Sequence, residues 1–236
     1  RVLCATGRRV HAAPVKAAAL VNTQNGVLAL TASQDHTLGV WDVALGDEKG
    51  KAASMSLRCV GASHTGEVSC LAVDPERNFV CSGSWDETAR LWRLDVDALD
   101  AAAVAVASND GQKKRQRTGA DGAATDTTPA SAGLLSPSMA FEGHKGAVTG
   151  VAWASTRSLF TGSYDHNIVS WDVEAGTQLN VLYGSKAVNG LDYNPLNALV
   201  ASCHPDNAVR IWDPRVGGNA VGPTATCRAA VRHRRW

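Results

Sequence analysis

The stretch Ser82-Gly-Ser-Trp-Asp-Glu-Thr-Ala-Arg-Leu-Trp92 sets the pattern for the whole chain. Residues 31–41, 161–171 and 202–212 align with it without a gap. In each unit a Ser or Thr stands four residues before an Asp, and a Trp stands six residues after that Asp. The residues at these positions are Thr31, Asp35 and Trp41; Ser82, Asp86 and Trp92; Thr161, Asp165 and Trp171; and Ser202, Asp206 and Trp212. Such recurrence indicates a repeat protein.

A second signal precedes each unit. The residue that stands 27 to 30 positions before the tryptophan is a histidine in three units and a serine in the fourth: His11, His64, His144 and Ser185. The shortest interval between successive tryptophans is 41 residues, which is the length of one propeller blade. The two longer intervals, of 51 and 79 residues, therefore contain insertions.

Within a unit, short β-prone runs alternate with turns. In the third unit these runs cover residues 147–153, 159–162, 168–171 and 178–182, and they predict four strands. Four consecutive strands form an antiparallel sheet, which cannot bury both of its faces alone. The predicted fold class is therefore all-β, with four-stranded sheets stacked as blades around an axis.

The recurring polar residues are interpreted as structural ties between strands. An Asp in a tight turn can accept hydrogen bonds from the backbone and the His, the His can bond the strand hydroxyl, and that hydroxyl can accept the indole N–H. Repetition argues against catalysis, because a catalytic site is needed once, whereas pairs such as Asp35-His36 recur at blade spacing. We therefore expect a protein that is not an enzyme, without catalytic residues, metal or cofactor.

Four dipeptides resemble those of the WD40 repeat: Gly143-His144, Trp41-Asp42, Trp171-Asp172 and Trp212-Asp213. The resemblance implies a WD40 β-propeller. Because similar propellers commonly have seven blades, it implies about four consecutive blades of an expected seven. We expect the next blade to be cut off near Trp236, and we interpret the start at Arg1 as a sign of an incomplete or processed chain.

The organisation along the chain predicts three segments. Residues 1–94 contain the first two units, and residues 138–236 contain the third and fourth. Residues 95–137 are rich in Ala, Ser, Thr, Asp and Gly, which predicts a disordered linker inserted after the third strand of the second blade. Four cations in this linker are interpreted as a nuclear-import signal, with an RNA-phosphate contact or a merely solubilising run as alternatives: Lys113, Lys114, Arg115 and Arg117.

The composition argues against two functional classes, proteins that select nucleic acid or acidic lipid by their overall charge and proteins that span a membrane. The 236 residues carry a net charge of +1, so no global field selects nucleic acid or acidic lipid. The longest wholly apolar run, residues 101–107, is too short to cross a bilayer, so we expect no membrane span. Six cysteines without a Cys-x-x-Cys pair favour a reducing, intracellular compartment.

Two aromatic residues each stand directly before a turn Asp, a position that faces one rim of the propeller. Trp85 and Tyr164 are therefore candidate anchors for a protein partner, and packing on the neighbouring blade's loop is the alternative. A separate stretch, Trp212-Asp-Pro-Arg215, resembles the WD-x-Arg box of propellers that dock on a cullin ubiquitin-ligase adaptor. Through Arg215 it implies an alternative function as a WD-repeat substrate receptor of a cullin ubiquitin ligase.

The order of the motifs resembles one WD-repeat family more closely. Four motifs around the basic insertion follow the order of the ribosome-biogenesis WD-repeat proteins of the PeBoW complex: Cys81-Ser-Gly-Ser-Trp-Asp86, Gly184-Ser-Lys-Ala-Val-Asn189 without its His, Tyr193-Asn-Pro195 and Trp212-Asp-Pro-Arg215. The resemblance implies a scaffold in the nucleolus and nucleoplasm of the nucleus that acts in large-subunit pre-rRNA processing. Its implied partners are Pescadillo and block-of-proliferation type proteins and the pre-ribosomal particle, with an indirect association with pre-rRNA. Neither a membrane nor a small-molecule substrate is expected.

Overall fold

The computed structural model describes residues 11–23, 26–44, 54–76, 78–95, 135–215 and 227–232. The strands of these residues form four antiparallel sheets, each built from four consecutive strands in sequence order. The first two sheets contain β1 (Val15–Thr23), β2 (Gly26–Ser33), β3 (Thr37–Ala44), β4 (Ser54–Ala62), β5 (Val68–Val73), β6 (Phe79–Ser84), β7 (Ala89–Leu94) and β8 (Leu135–Phe141). The other two contain β9 (Val148–Ser155), β10 (Ser158–Ser163), β11 (Asn167–Asp172), β12 (Gln178–Tyr183), β13 (Gly190–Asn194), β14 (Leu199–Cys203), β15 (Ala208–Trp212) and β16 (Cys227–Arg232). Within the described ranges there is no helix long and apolar enough to span a membrane.

The turn between the second and third strands has the same construction in all four sheets. In the first sheet, Asp35 accepts the backbone N–H of Thr37 through its Oδ1 at 3.1 Å, which closes the turn. The residue after the turn Asp has a positive φ in every sheet, in the left-handed region: His36 at 71°, Glu87 at 68°, His166 at 77° and Asn207 at 59°. These four turns lie at equivalent ends of their sheets and form one rim of the molecule.

The sheets stack face to face through apolar side chains. The first strands β1, β5, β9 and β13 contact one another in succession, so they lie along the same side of the stack. Each of three tryptophans shares a buried cluster with a residue of the preceding sheet: Trp92 with Leu30, Trp171 with Leu91, and Trp212 with Phe160. The prediction of four consecutive four-stranded antiparallel blades is confirmed, and the fold is that of a partial β-propeller.

Close contacts fix the spacing between neighbouring sheets. At Gly150 in β9, a Cβ atom would lie 2.9 Å from the backbone nitrogen of Leu191, so only glycine allows the fourth sheet to approach this far. Trp153 of the third sheet donates its indole N–H to the carbonyl of Ala72 in the second sheet at 3.1 Å. The sheets are therefore joined by polar as well as apolar contacts.

The inserted segment is shorter than predicted at its C-terminal end. Strand β8 begins at Leu135, so the last three residues of the predicted 95–137 linker belong to a strand. Pro137 pairs with Trp92 beside a register shift, and proline fits there because β8 is the outer strand of its sheet. Residues 96–134, and with them the predicted disorder, lie outside the described residues, as do the predicted chain-end features at 1–10 and 233–236.

Candidate functional site

The second sheet contains a buried tetrad, the name used here for an Asp, a His, a hydroxyl residue and a Trp bonded in series. Trp92 donates its indole N–H to Ser82 Oγ at 2.7 Å, and Ser82 Oγ lies 2.7 Å from His64 Nε2. His64 Nδ1 lies 2.8 Å from Asp86 Oδ2, which also accepts the backbone N–H of Thr65 at 3.0 Å. The tetrad therefore ties the loop before β5 to the turn between β6 and β7.

The first and third sheets contain the same arrangement. The distances between successive polar atoms lie between 2.7 and 3.0 Å for the members His11, Thr31, Asp35 and Trp41 and for the members His144, Thr161, Asp165 and Trp171. Both ring nitrogens of each histidine are bonded inside the sheet. These histidines consequently hold the structure together and are not placed to exchange a proton with a substrate.

The tetrads change the acidity of their members. Burial by itself raises the pKa of Asp86, but hydrogen bonds from Thr88 and His64 outweigh it and lower that pKa to about 2. The same opposition of burial and hydrogen bonds lowers the pKa of both Asp35 and Asp165 to about 2. Burial lowers the pKa of His64 in spite of its bond to Asp86. At neutral pH the second sheet thus holds a carboxylate beside a neutral imidazole.

In the fourth sheet, His204 replaces the missing loop histidine. Trp212 donates to Ser202 Oγ at 2.7 Å, and that oxygen lies 2.7 Å from His204 Nε2. His204 Nδ1 lies 2.8 Å from the carbonyl oxygen of Ala187. Since a carbonyl can only accept, Nδ1 carries the proton and Nε2 accepts from Ser202. His204 stands two residues before the turn Asp, a position held in the other units by Ser33, Ser84 and Ser163.

Asp206 consequently has a different partner from the one expected. Its two carboxylate oxygens accept Arg210 Nη1 at 3.1 Å and Nη2 at 2.6 Å, and the guanidinium hydrogen bonds lower the pKa of Asp206 to about 2. The inclusion of Asp206 in a tetrad is therefore corrected. Ser185 cannot supply the ring nitrogen that a tetrad Asp requires, and the arginine two residues before Trp212 takes the carboxylate instead.

Trp85 and Tyr164 meet on the rim formed by the turns. Their ring centroids are 5.7 Å apart and their planes are inclined by 68°, so the contact is edge to face between neighbouring sheets. Each aromatic thus packs on the turn of the neighbouring sheet, and yet Trp85 stays 50% exposed and Tyr164 42% exposed. Two rigid rings on rigid turns present apolar surface at a low cost in conformational entropy.

The other predicted binding residues fall into two groups. Arg215 donates from Nε and Nη2 to the carboxylate of Asp213 at 2.9 and 3.0 Å, so its guanidinium is paired within its own turn. The basic cluster of the insertion lies outside the described residues: Lys113, Lys114, Arg115 and Arg117.

Two residues of interest were missed by the sequence analysis, and both stand at positions where the four units differ. His204 replaces a serine, as described above. Arg90 stands two residues before Trp92, where the other units have Gly39, Val169 and Arg210. A comparison of the units position by position, rather than of their shared residues alone, would have found both.

Comparisons with known proteins agree with this geometry. The family described as "WD domain, G-beta repeat" matches residues 57–93, 135–172 and 176–213. The chain is 33% identical to the "Ribosome biogenesis protein WDR12 homolog" of Nematostella vectensis over 92% of this chain and 49% of that protein. It is 30% identical to the protein of the same name from Oryza sativa subsp. japonica over 88% of this chain and 46% of that protein.

The chain therefore spans about half the length of the curated relatives it matches. The first family match ends one residue after Trp92, and the other two end at the pairs Trp171-Asp172 and Trp212-Asp213. Repeated sheets, tetrads and matches together show that the chain contains WD40 repeats, and in sequence it is similar to the WDR12 homologues.

Proposed function

We propose that this chain is part of a non-catalytic scaffold in ribosome biogenesis, acting in large-subunit assembly and pre-rRNA processing within a PeBoW-like complex. The observation that carries the proposal is the similarity, along 92% of the chain, to a relative named for ribosome biogenesis. The proposed partners are Pescadillo and block-of-proliferation type proteins and the pre-ribosomal particle, with pre-rRNA associated indirectly. The proposed location is the nucleus, in both the nucleolus and the nucleoplasm.

The exposed pair of Trp85 and Tyr164 is the proposed protein-binding anchor. Aromatic side chains at the centre of an interface often supply most of the binding energy. Both rings lie on turns whose Asp is held in a tetrad, so little order has to be gained on binding. Their mutual edge-to-face contact keeps both rings in place while leaving about half of each side chain accessible.

Affinity purification of the tagged chain from eukaryotic cells tests the scaffold and the anchor together. We expect Pescadillo and block-of-proliferation type proteins to co-purify, and we expect Trp85→Ala and Tyr164→Ala to weaken their recovery with little change in thermal stability. Tyr183→Ala is the matched control, because Tyr183 is 53% exposed but lies in the outer strand β12. Failure of the partners to co-purify with the unmodified chain would contradict the function. Loss of stability without loss of binding per folded molecule would contradict the anchor alone.

The basic cluster in the insertion is proposed to promote nuclear entry. A run of four cations in five residues suits recognition by an import receptor through charge. A fluorescently tagged chain with Lys113, Lys114, Arg115 and Arg117 changed to Ala should lose nuclear enrichment relative to the unmodified chain. Unchanged enrichment would mean that these cations only solubilise the segment.

No observation favours the alternative function as a cullin substrate receptor. Its only support was Arg215, and that guanidinium is engaged by Asp213 of the same turn. The relatives reported above are named for ribosome biogenesis.

A further inference from the structure

Arg90 in β7 is a partly buried arginine that lacks a carboxylate partner. Its Nη1 donates to Ser63 Oγ at 2.7 Å. Its Nε is buried and has no hydrogen-bond acceptor, and no Asp or Glu among the described residues forms an ion pair with it. Arginines that are removed from water are almost always paired, because an uncompensated charge is costly there. The buried Nε of Arg90 therefore has an unmet hydrogen bond, which an anion from outside the described chain would satisfy.

The fourth sheet shows which anion fits this position. Arg210 occupies the same place, two residues before the sheet's tryptophan, and binds both oxygens of Asp206. Arg90 cannot pair with the corresponding Asp86, because that carboxylate already accepts hydrogen bonds from His64 and Thr88. Because Asp86 belongs to the tetrad, its carboxylate is not available to Arg90.

Ser63 lies beside Arg90, and His36 lies at the same end of the first sheet as Ser63. Thr37 pairs with Ala62 across strands β3 and β4, so the preceding residue His36 and the following residue Ser63 lie at the same end of the sheet. His36 is exposed on the rim. Both His36 and Arg90 act electrostatically on His64, and the carboxylate that opposes them there is the fully engaged Asp86. At this junction Asp86 is thus engaged in the tetrad, and Glu67 of the loop before β5 is paired with Lys16 of β1 at 3.5 Å.

We propose that Arg90, Ser63 and His36 form a carboxylate-binding notch on the rim, which receives an acidic side chain from an acidic segment of a partner protein. The carboxylate accepts from Nη2 and, after a small rotation of the guanidinium, from Nε. Arg215 uses the same edge, Nε with Nη2, to hold Asp213. Rotamer changes of this size are common when partners bind. The inference deepens the proposed protein-binding role and rests on it.

A protein carboxylate is favoured over an RNA phosphate by the number and placement of the cations. RNA that binds without base readout needs a groove of positive charge that follows several phosphates, with aromatic rings for its bases. The notch has one guanidinium. On the same rim Lys16 is paired with Glu67, and the exposed Lys145 and Lys186 belong to the loops of the third and fourth sheets. A single planar guanidinium suits a single carboxylate, which it can bind through two parallel hydrogen bonds.

Fluorescence anisotropy with the 236-residue chain tests the notch. The probe is a short labelled peptide rich in Glu, and the reference probe is the same peptide with Gln at every Glu. We expect the Glu peptide to bind more tightly than the Gln peptide, and Arg90→Gln to weaken binding of the Glu peptide about tenfold. Arg93→Gln is the matched control, since it removes an exposed cation from the same strand and should leave the affinity unchanged. Thermal stability of Arg90→Gln should not fall, because the variant removes an unpaired charge.

Three results would overturn the proposal. In the first, Arg90→Gln binds the Glu peptide as tightly as the unmodified chain. In the second, Arg90→Gln melts several degrees lower while binding per folded molecule is unchanged, which makes the bond to Ser63 a structural one. In the third, a single-stranded RNA binds through Arg90 and the Glu peptide does not. Co-purification of the ribosome-biogenesis partners with Arg90→Gln would still support the proposed function, so the two hypotheses can fail separately.

Discussion

His204 makes two hydrogen bonds that are made by two separate residues in the other sheets. In the third sheet, Ser163 Oγ donates to the carbonyl of Gly146 at 2.8 Å, and a separate histidine bonds the strand hydroxyl. In the fourth sheet, one imidazole does both, through Nδ1 to Ala187 and through Nε2 to Ser202. The side chain is 5% exposed, and burial lowers its pKa, which keeps the ring in the neutral form that this arrangement needs.

Placing a histidine in the loop by Ser185→His should therefore raise the free energy of unfolding only in a chain that also lacks His204. We expect His204→Ser alone to lower the free energy of unfolding by about 1 to 3 kcal/mol, because Ser202 loses its partner, whereas the new serine can still donate to the loop carbonyl as Ser163 does. Ser185→His alone should bring no gain, since Ser202 is already bonded and Asp206 is held by Arg210. The double variant should be more stable than His204→Ser. Urea denaturation of all four proteins gives the coupling energy, and strictly additive effects would contradict the replacement.

The residue scale also shows where sequence reasoning succeeds and where it stops. Ser82, Asp86 and Trp92 lie within eleven residues, so their shared register was visible as a repeat, and His64 followed at a nearly constant distance. His204 and Arg90 could not be assigned in this way. Their roles depend on which donors and acceptors lie within hydrogen-bonding distance of each other. A repeat pattern does not contain these three-dimensional distances.

At the scale of strands, the stack depends on small residues where two sheets meet. Gly150→Ala should lower the free energy of unfolding by about 1 to 3 kcal/mol, because the new methyl group meets the backbone nitrogen of Leu191 at 2.9 Å and β13 has to move. Gly190→Ala is the control, since its Cβ would meet only the flexible, exposed thiol of Cys203. Equal losses in urea denaturation of the two variants would contradict a role of Gly150 in sheet spacing.

Element boundaries were the less predictable part of the fold. The four strands predicted for the third unit agree with β9, β10, β11 and β12 to within a few residues, because each run of apolar residues ends at a turn signal. The start of β8 was missed because Pro137 resembles a strand breaker. An outer strand has one side without ladder partners and so tolerates proline.

At the scale of the molecule, stability should fall in two stages as the pH is lowered. The pKa values of His64 and His204 lie below their ordinary value of 6.5, so their contribution is complete above 6.5 and is lost as the pH falls below it. The carboxyls of Asp35, Asp86 and Asp165 have pKa values of about 2 instead of 3.8. Their contribution is complete above 3.8 and is lost as the pH falls from there towards 2.

Urea unfolding at a series of pH values measures this dependence. In both stages the unfolded chain binds more protons than the folded chain, so the free energy of unfolding decreases as the pH is lowered. Asp86→Asn should flatten the lower stage relative to the unmodified chain, because it removes one of the titrating carboxyls while keeping the shape of the side chain. A free energy of unfolding that rises between pH 6.5 and pH 3 would contradict the assigned shifts.

The long insertion has a consequence for the order in which the second sheet is completed. About forty residues separate the end of β7 at Leu94 from the start of β8 at Leu135, against about five between β11 and β12 in the third sheet. Closing the longer loop costs about 2 kcal/mol more in chain entropy. We therefore expect strand β8 to be the last of its sheet to dock and the first to detach, and its amide hydrogens to exchange with solvent sooner than those of β12. Each detachment would expose Trp92, which pairs with Pro137 of β8, while the rest of the blade stays folded.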